Sequence, residues 1–124
     1  ITTVELSKRA NEDAQLNLGD LPKVRAVSAP IERYLYDLVK RKQLLESATV
    51  VVDPPRSGIG AKVVDSLVRL KPSHIVYVAC DPVSFARDLK GLLVGGYRLA
   101  SLRAFDLFPH THHIETVASL VYAD

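Results

Sequence analysis

Cysteine is nearly absent: Cys80 is the only one in 124 residues. That excludes an internal disulfide framework and any multi-cysteine metal or iron–sulfur site within the chain. A reducing, cytoplasmic setting is the expectation. Neither sign of charge dominates, and a formal net charge of +2 does not by itself announce nucleic-acid binding. Aromatic residues make up 6%, so no base-stacking platform stands out. No charged-then-apolar signal segment opens the chain and no apolar run reaches bilayer length, so no membrane partner is expected. Repeats, low-complexity tracts and linkers are also lacking. What remains is an ordinary globular composition, 48% hydrophobic and 24% charged, sufficient for one domain with one core. The chain opens at Ile1, already inside an apparent strand, which points to a piece of a longer domain.

The stretch Ile75-Val76-Tyr77-Val78-Ala79-Cys80-Asp81-Pro82 organises the rest. Its β-branched and aromatic residues predict a buried strand that delivers Cys80 to its carboxyl end. Asp81 is a good cap and Pro82 a good first residue for a helix running to about Val94, where Gly95-Gly96 stops it. A thiol between a strand end and a helix amino end is placed for chemistry, because the helix terminus favours the thiolate. The plain alternative is a core cysteine.

Upstream, Ile1 to Leu6 reads as a strand ending near Glu5, and Ser7 caps a helix to about Leu18 with Ala10, Ala14 and Leu18 on one face. Gly19 and Pro22 break the chain. Val24 to Val27 is a short strand. Pro30 opens a helix with an apolar stripe of Ile31, Leu35, Leu38 and Val39. Its basic end, Lys40-Arg41-Lys42, complements the helix dipole more simply than it contacts RNA. Ala48 to Val52 reads as a second clearly buried strand, ending in the stiff turn Asp53-Pro54-Pro55-Arg56-Ser57-Gly58. Gly60 to Leu70 is an amphipathic helix with Val63, Val64, Leu67 and Val68 inward. Two strands, Tyr97 to Phe105 and Glu115 to Tyr122, close the chain. This order implies an α/β layered sheet, parallel apart from a terminal hairpin. In such sheets ligands sit beyond the carboxyl ends of the strands, where Glu5, Asp53 and Cys80 all fall.

Several chemistries compete for these residues. A cysteine hydrolase needs a histidine beside Cys80. His74 belongs at the opposite end of the same strand, whereas His110, His112 and His113 are better placed. Those histidines with Asp106 offer a metal site, although their spacing fits no helical two-histidine pattern and no metal is expected. A non-catalytic α/β module that binds RNA or a partner subunit is the alternative to any enzyme.

The stretch Asp53-Pro54-Pro55-Arg56-Ser57-Gly58, sixteen residues, then Ile75 to Cys80 resembles the signature of the S-adenosylmethionine-dependent RNA uracil-5-methyltransferases. These enzymes form 5-methyluridine in tRNA or in ribosomal RNA. The tail from Phe105 through Asp106-Leu107-Phe108-Pro109-His110-Thr111-His112-His113-Ile114 to Glu115 resembles that family's second signature throughout. The resemblance covers nearly the whole chain, residues 1–124, as the carboxyl-terminal part of a catalytic domain. It implies a Rossmann-like class I methyltransferase sheet that lacks the first strand and its glycine-rich loop. That strand belongs between the strands holding Val4 and Val51.

The resemblance also implies roles. Cys80 matches the nucleophile that adds to C6 of uracil, and Glu115 the base that removes the C5 proton, unless Glu115 merely begins a solvated edge strand. Asp53 matches the position where the methionine end of S-adenosylmethionine meets the target base. Glu5 matches the acid that accepts from the cofactor ribose, with Ala29 or its neighbours lining the adenine pocket. Arg56 meets RNA phosphate or stacks on a base, or else pairs with Asp53. Three residues depart from the family pattern: Ala79 replaces Ser, Asp81 replaces Asn, and Ser84 replaces Thr. The Asp81 charge opposes the thiolate that the helix end favours. With half of the cofactor pocket missing, the isolated chain is expected to have little activity.

Overall fold

The computed structural model describes residues 1–111 and 114–123. Six strands and four helices follow in order. They are β1 (Thr2–Glu5), α1 (Lys8–Leu18), β2 (Arg25–Ser28), α2 (Ile31–Lys40), β3 (Thr49–Val52), α3 (Ala61–Leu70), β4 (His74–Ala79), α4 (Pro82–Val94), β5 (Tyr97–Phe105) and β6 (Glu115–Tyr122). Strand and helix alternate through α4, and a β5–β6 hairpin ends the chain, which makes it an α/β fold.

The strands form two sheets. β1 and β2 pair in parallel, with Val4 opposite Val27. The larger sheet has the order β3-β4-β6-β5. In it β3 runs parallel to β4, whereas β6 is antiparallel to both β4 and β5. β1 and β3 therefore each have one unpaired edge, and the strand that the family resemblance sets between them is not among the described residues.

The core lies between the larger sheet and α2, α3 and α4. β4 buries alternate residues, Ile75, Tyr77 and Ala79, as a strand with one covered face must. They meet Leu67 and Leu70 of α3, Phe85 and Leu92 of α4, Leu35 and Leu38 of α2, and Ala118 and Leu120 of β6. Each fully buried leucine of this set contributes about 1.5–3 kcal/mol of transfer free energy. The Tyr77 and Phe85 rings pack edge to face, with centroids 5.2 Å apart.

Two sequence expectations need correction. β3 is not clearly buried: Val51 is 66% exposed, because β3 is an edge strand and the helices cover only the face bearing Val50 and Val52. On α1 the inward position belongs to Asn11 and not to Ala10, which is exposed; Ala14 and Leu18 are half-buried. Remaining boundaries shift by a residue or so, the ordinary uncertainty of strand and helix ends.

Candidate functional site

The site is built at one edge of the larger sheet. β3 and β4 are parallel, so their carboxyl ends share that edge; β6 is antiparallel and presents its amino end there. Asp53 follows β3 directly and is exposed. Cys80 follows β4 directly and is half-buried. Glu115 is the first residue of β6 and is half-buried. The register between β4 and β6 sets Ala79 opposite Thr116, and the Thr116 hydroxyl donates to the Ala79 carbonyl at 3.3 Å. Cys80 follows Ala79 and Glu115 precedes Thr116, so both chain positions lie at this end of the β4–β6 pair.

Local chemistry fixes the Cys80 junction. Asp81 has extended backbone angles and caps α4, its Oδ2 accepting from the Ser84 N–H at 2.8 Å, while Pro82 occupies the first turn. The Ser84 hydroxyl donates to the Asp81 carbonyl at 3.3 Å. Hydrogen bonding from the Ser84 backbone and side chain holds the Asp81 carboxyl below the usual carboxylate range, and the Val83 N–H and the Arg56 guanidinium add to this. The acid that the sequence sets against the Cys80 thiolate is thereby engaged in capping α4, and the charge of Arg56 acts on it.

The turn after β3 is clamped from α4 and β4. Gly58 N–H closes the turn on the Pro55 carbonyl at 2.9 Å. Asp88, on the buried face of α4, accepts through Oδ2 from the Ile59 N–H at 2.8 Å, the Gly60 N–H at 3.4 Å and the Tyr77 hydroxyl at 2.8 Å. Its Oδ1 accepts from Arg87 Nε at 3.0 Å and Nη2 at 2.9 Å, and the same Nη2 donates to the Ser57 carbonyl at 2.7 Å. Burial, reinforced by the Asp88 carboxylate, pushes the Tyr77 phenol well above its ordinary value. Sequence reading missed this cluster. The signal was available, since Asp88 interrupts a helical stripe of Phe85, Leu89 and Leu92, where an acid stays only if paired.

Glu5 ends β1 in the smaller sheet, where its Oε1 accepts from the Ser7 N–H at 2.7 Å. His74 is the first residue of β4, at the end opposite Cys80. His112 and His113 lie outside the described residues, so the metal reading of the histidine cluster is not addressed by the structure. Among the described residues no group of three or more His, Cys, Asp or Glu is placed to hold a metal ion. Among them too, no helix is long and apolar enough to cross a membrane.

The fold is that of S-adenosylmethionine-dependent methyltransferases. Aeropyrum pernix fibrillarin, solved with natively bound S-adenosylmethionine, superposes with a TM-score of 0.69 over 95% of this chain and 54% of its own, at 16% identity. Sequence narrows the class: residues 33–122 match the family model described as tRNA (Uracil-5-)-methyltransferase, and the chain belongs to that family. A Streptomyces avermitilis protein named as an RNA methyltransferase is 48% identical over 117 residues, which is 94% of this chain and 26% of that protein. The Pyrococcus abyssi tRNA (uracil-54, C5)-methyltransferase, solved with S-adenosyl-L-homocysteine, is 36% identical with a TM-score of 0.75, covering 97% of this chain and 28% of the other. The chain thus spans about a quarter of the length of the curated relatives it matches.

The acceptors present suit such a cofactor. A carboxylate offers about four acceptor positions, and Ser7 uses one at Glu5, leaving capacity for a ribose diol. Asp53, an exposed carboxylate at a strand end, suits the cationic methionine end.

Proposed function

We propose that these residues are the carboxyl-terminal part of a catalytic domain that methylates C5 of uridine in RNA, with Cys80 as nucleophile and Glu115 as base. The observation that supports the reading is the strand order, parallel β3–β4 and antiparallel β4–β6, which sets the chain positions that follow β3 and β4 and begin β6 at one edge of the sheet.

The C5 carbon of uracil is too weak a nucleophile to be alkylated unaided. The Cys80 thiolate adds to C6, forming the Sγ–C6 bond, and the C5–C6 π electrons pass into an enolate at C5 and O4. S-adenosylmethionine, when bound, would supply the electrophilic methyl group, C5 gaining the new carbon–carbon bond as the sulfonium carbon–sulfur bond breaks to leave the neutral thioether. The Glu115 carboxylate then takes the C5 proton, the C5–C6 double bond re-forms, and the Sγ–C6 bond breaks to return the thiolate. Glu5 holds the ribose hydroxyls of the cofactor, and Asp53 its methionine end next to the target base. Arg56 contacts RNA through phosphate or base. Both faces of C5 and C6 must be reached, so the uridine leaves its stack or lies in a single-stranded loop. The setting is cytoplasmic.

The test is the intact protein with RNA containing 5-fluorouracil, which lacks the proton that Glu115 removes. The expected result is a denaturation-resistant protein–RNA adduct that disappears in Cys80→Ala. RNA binding without any adduct would favour a non-catalytic RNA-binding module, and acyl-enzyme trapping on Cys80 a hydrolase.

A further inference from the structure

We infer that Asp88, assisted by Arg87, is the positioning residue that sets the Asp53–Gly60 turn against the Cys80 end of β4; the inference rests on the reading of that edge as the methyl-transfer site. α4 begins one residue beyond Cys80, at the Asp81 cap, and Asp88 lies two turns further along the same helix. From there it reaches three groups: the Tyr77 hydroxyl on the strand that delivers Cys80, and the Ile59 and Gly60 amides that end the turn carrying Asp53 and Arg56. Arg87 adds a fourth link through the Ser57 carbonyl. One helix thus holds both halves of the edge in register. The turn is moulded to this contact: Gly58 has a left-handed backbone, φ +76°, and a Cβ there would collide with Asp88 Oδ2 and stand 2.8 Å from Arg87 Nη2.

A purely structural role explains these features less well. The Asp88 side chain is only 1% exposed, and taking a carboxylate out of water costs several kcal/mol, which an apolar residue in the same stripe would avoid. What the carboxylate supplies instead is direction, fixing two amides and a phenol at 2.8 to 3.4 Å. Displacing a reacting arrangement by about 1 Å can cost roughly 100-fold in rate. Arg87 and Asp88 lie between the two signatures, and Tyr77 inside the first.

The experiment uses Arg87→Ala, Arg87→Lys and Asp88→Asn in the intact protein, assayed well below their melting temperatures. Arg87 is largely exposed but pairs with the buried Asp88 carboxylate, so each variant is assayed at the same margin below its own melting temperature. Arg87→Ala is expected to lower kcat about 10-fold while KM for RNA moves less than about 3-fold, and Arg87→Lys to recover most of the loss, because its ammonium still reaches the Ser57 carbonyl. In Asp88→Asn, hydrogen exchange at the Ile59 and Gly60 amides rises at least about 10-fold. If kcat in all three stays within about 2-fold of the parent whatever their melting temperatures, the inference is overturned and the site reading stands. If Cys80→Ala still methylates, the site reading falls. The amide exchange then decides for the Asp88 network alone, and unchanged protection at Ile59 and Gly60 overturns it.

Discussion

Replacing Gly58 by alanine should be among the costliest single-methyl additions in the chain, and Gly60 supplies its control. Both residues have positive φ, +76° and +79°, but their surroundings differ. At Gly60 a Cβ would meet nothing within 4 Å. There the penalty is that of the backbone alone, φ 79° and ψ 163°, a region nearly reserved to glycine, at about 1–3 kcal/mol. At Gly58 the backbone cost of about 1–2 kcal/mol is joined by a collision with Asp88 Oδ2. The carboxylate must move, which weakens charge-assisted hydrogen bonds to the Ile59 amide and the Tyr77 hydroxyl, each worth about 1.5–3 kcal/mol. Partial relaxation leaves a total of about 3–5 kcal/mol, a large share of a stability of about 5–15 kcal/mol. Urea unfolding of the 124-residue chain, followed by circular dichroism, reads both variants through the midpoint at constant m. Gly58→Ala should be the less stable by about 2 kcal/mol. Equal midpoints, or Gly60→Ala the less stable, would refute the claim that Asp88 and the turn are in tight contact.

Other expectations concern titration and the isolated chain. The Asp81 carboxyl holds its proton less tightly when folded, so its stabilising contribution is complete above the unfolded pKa of about 4 and fades as pH falls through the lower folded value. Asp81→Asn caps α4 equally well, so its melting temperature at neutral pH should match the parent while the acid-range decline becomes shallower; an identical decline would contradict this. Burial, with a further contribution from Tyr122 at Tyr97 and from Asp88 at Tyr77, raises both phenols above the ordinary value of about 10. Two of the five tyrosines should therefore resist ionisation near pH 11, and the stability they contribute is lost as pH rises through their folded values; full tyrosinate absorbance in the folded protein near pH 11 would contradict it. Finally, the 124 residues alone should transfer little methyl to uridine-containing RNA compared with the intact protein. They span about a quarter of the relatives' length and leave β1 and β3 with an unpaired edge each.

Much of the fold was legible in the sequence, because its cues were local. Asp81-Pro82 marked the start of α4, and the β-branched run before it marked β4. The alternation of strand and helix gave the layer type. Burial was harder. The run Val50-Val51-Val52 looks buried on both faces, yet one face of an edge strand is open, and nothing within the run says that β3 is an edge. Asn11 replaced Ala10 inside α1 because the helix turns a slightly different face inward. For the site, Cys80 and Asp53 were readable as strand-end residues, whereas the antiparallel pairing that sets the start of β6 at the Cys80 end of β4 is a long-range register that short-range patterns do not encode. Asp88 was legible only as an acid interrupting an apolar helical stripe; its partners, the Ile59 and Gly60 amides, Tyr77 and Arg87, are brought to it by the fold.

The most direct measurement is the fate of Glu115→Gln in the intact protein with unmodified uridine RNA and S-adenosylmethionine. If Glu115 removes the C5 proton, Cys80 still adds but cannot be eliminated. A methylated protein–RNA adduct should then persist on a denaturing gel, map to Cys80 and turn over negligibly. Full turnover by Glu115→Gln with no trapped adduct, or an adduct that survives in the Cys80→Ala, Glu115→Gln double variant, would contradict the account.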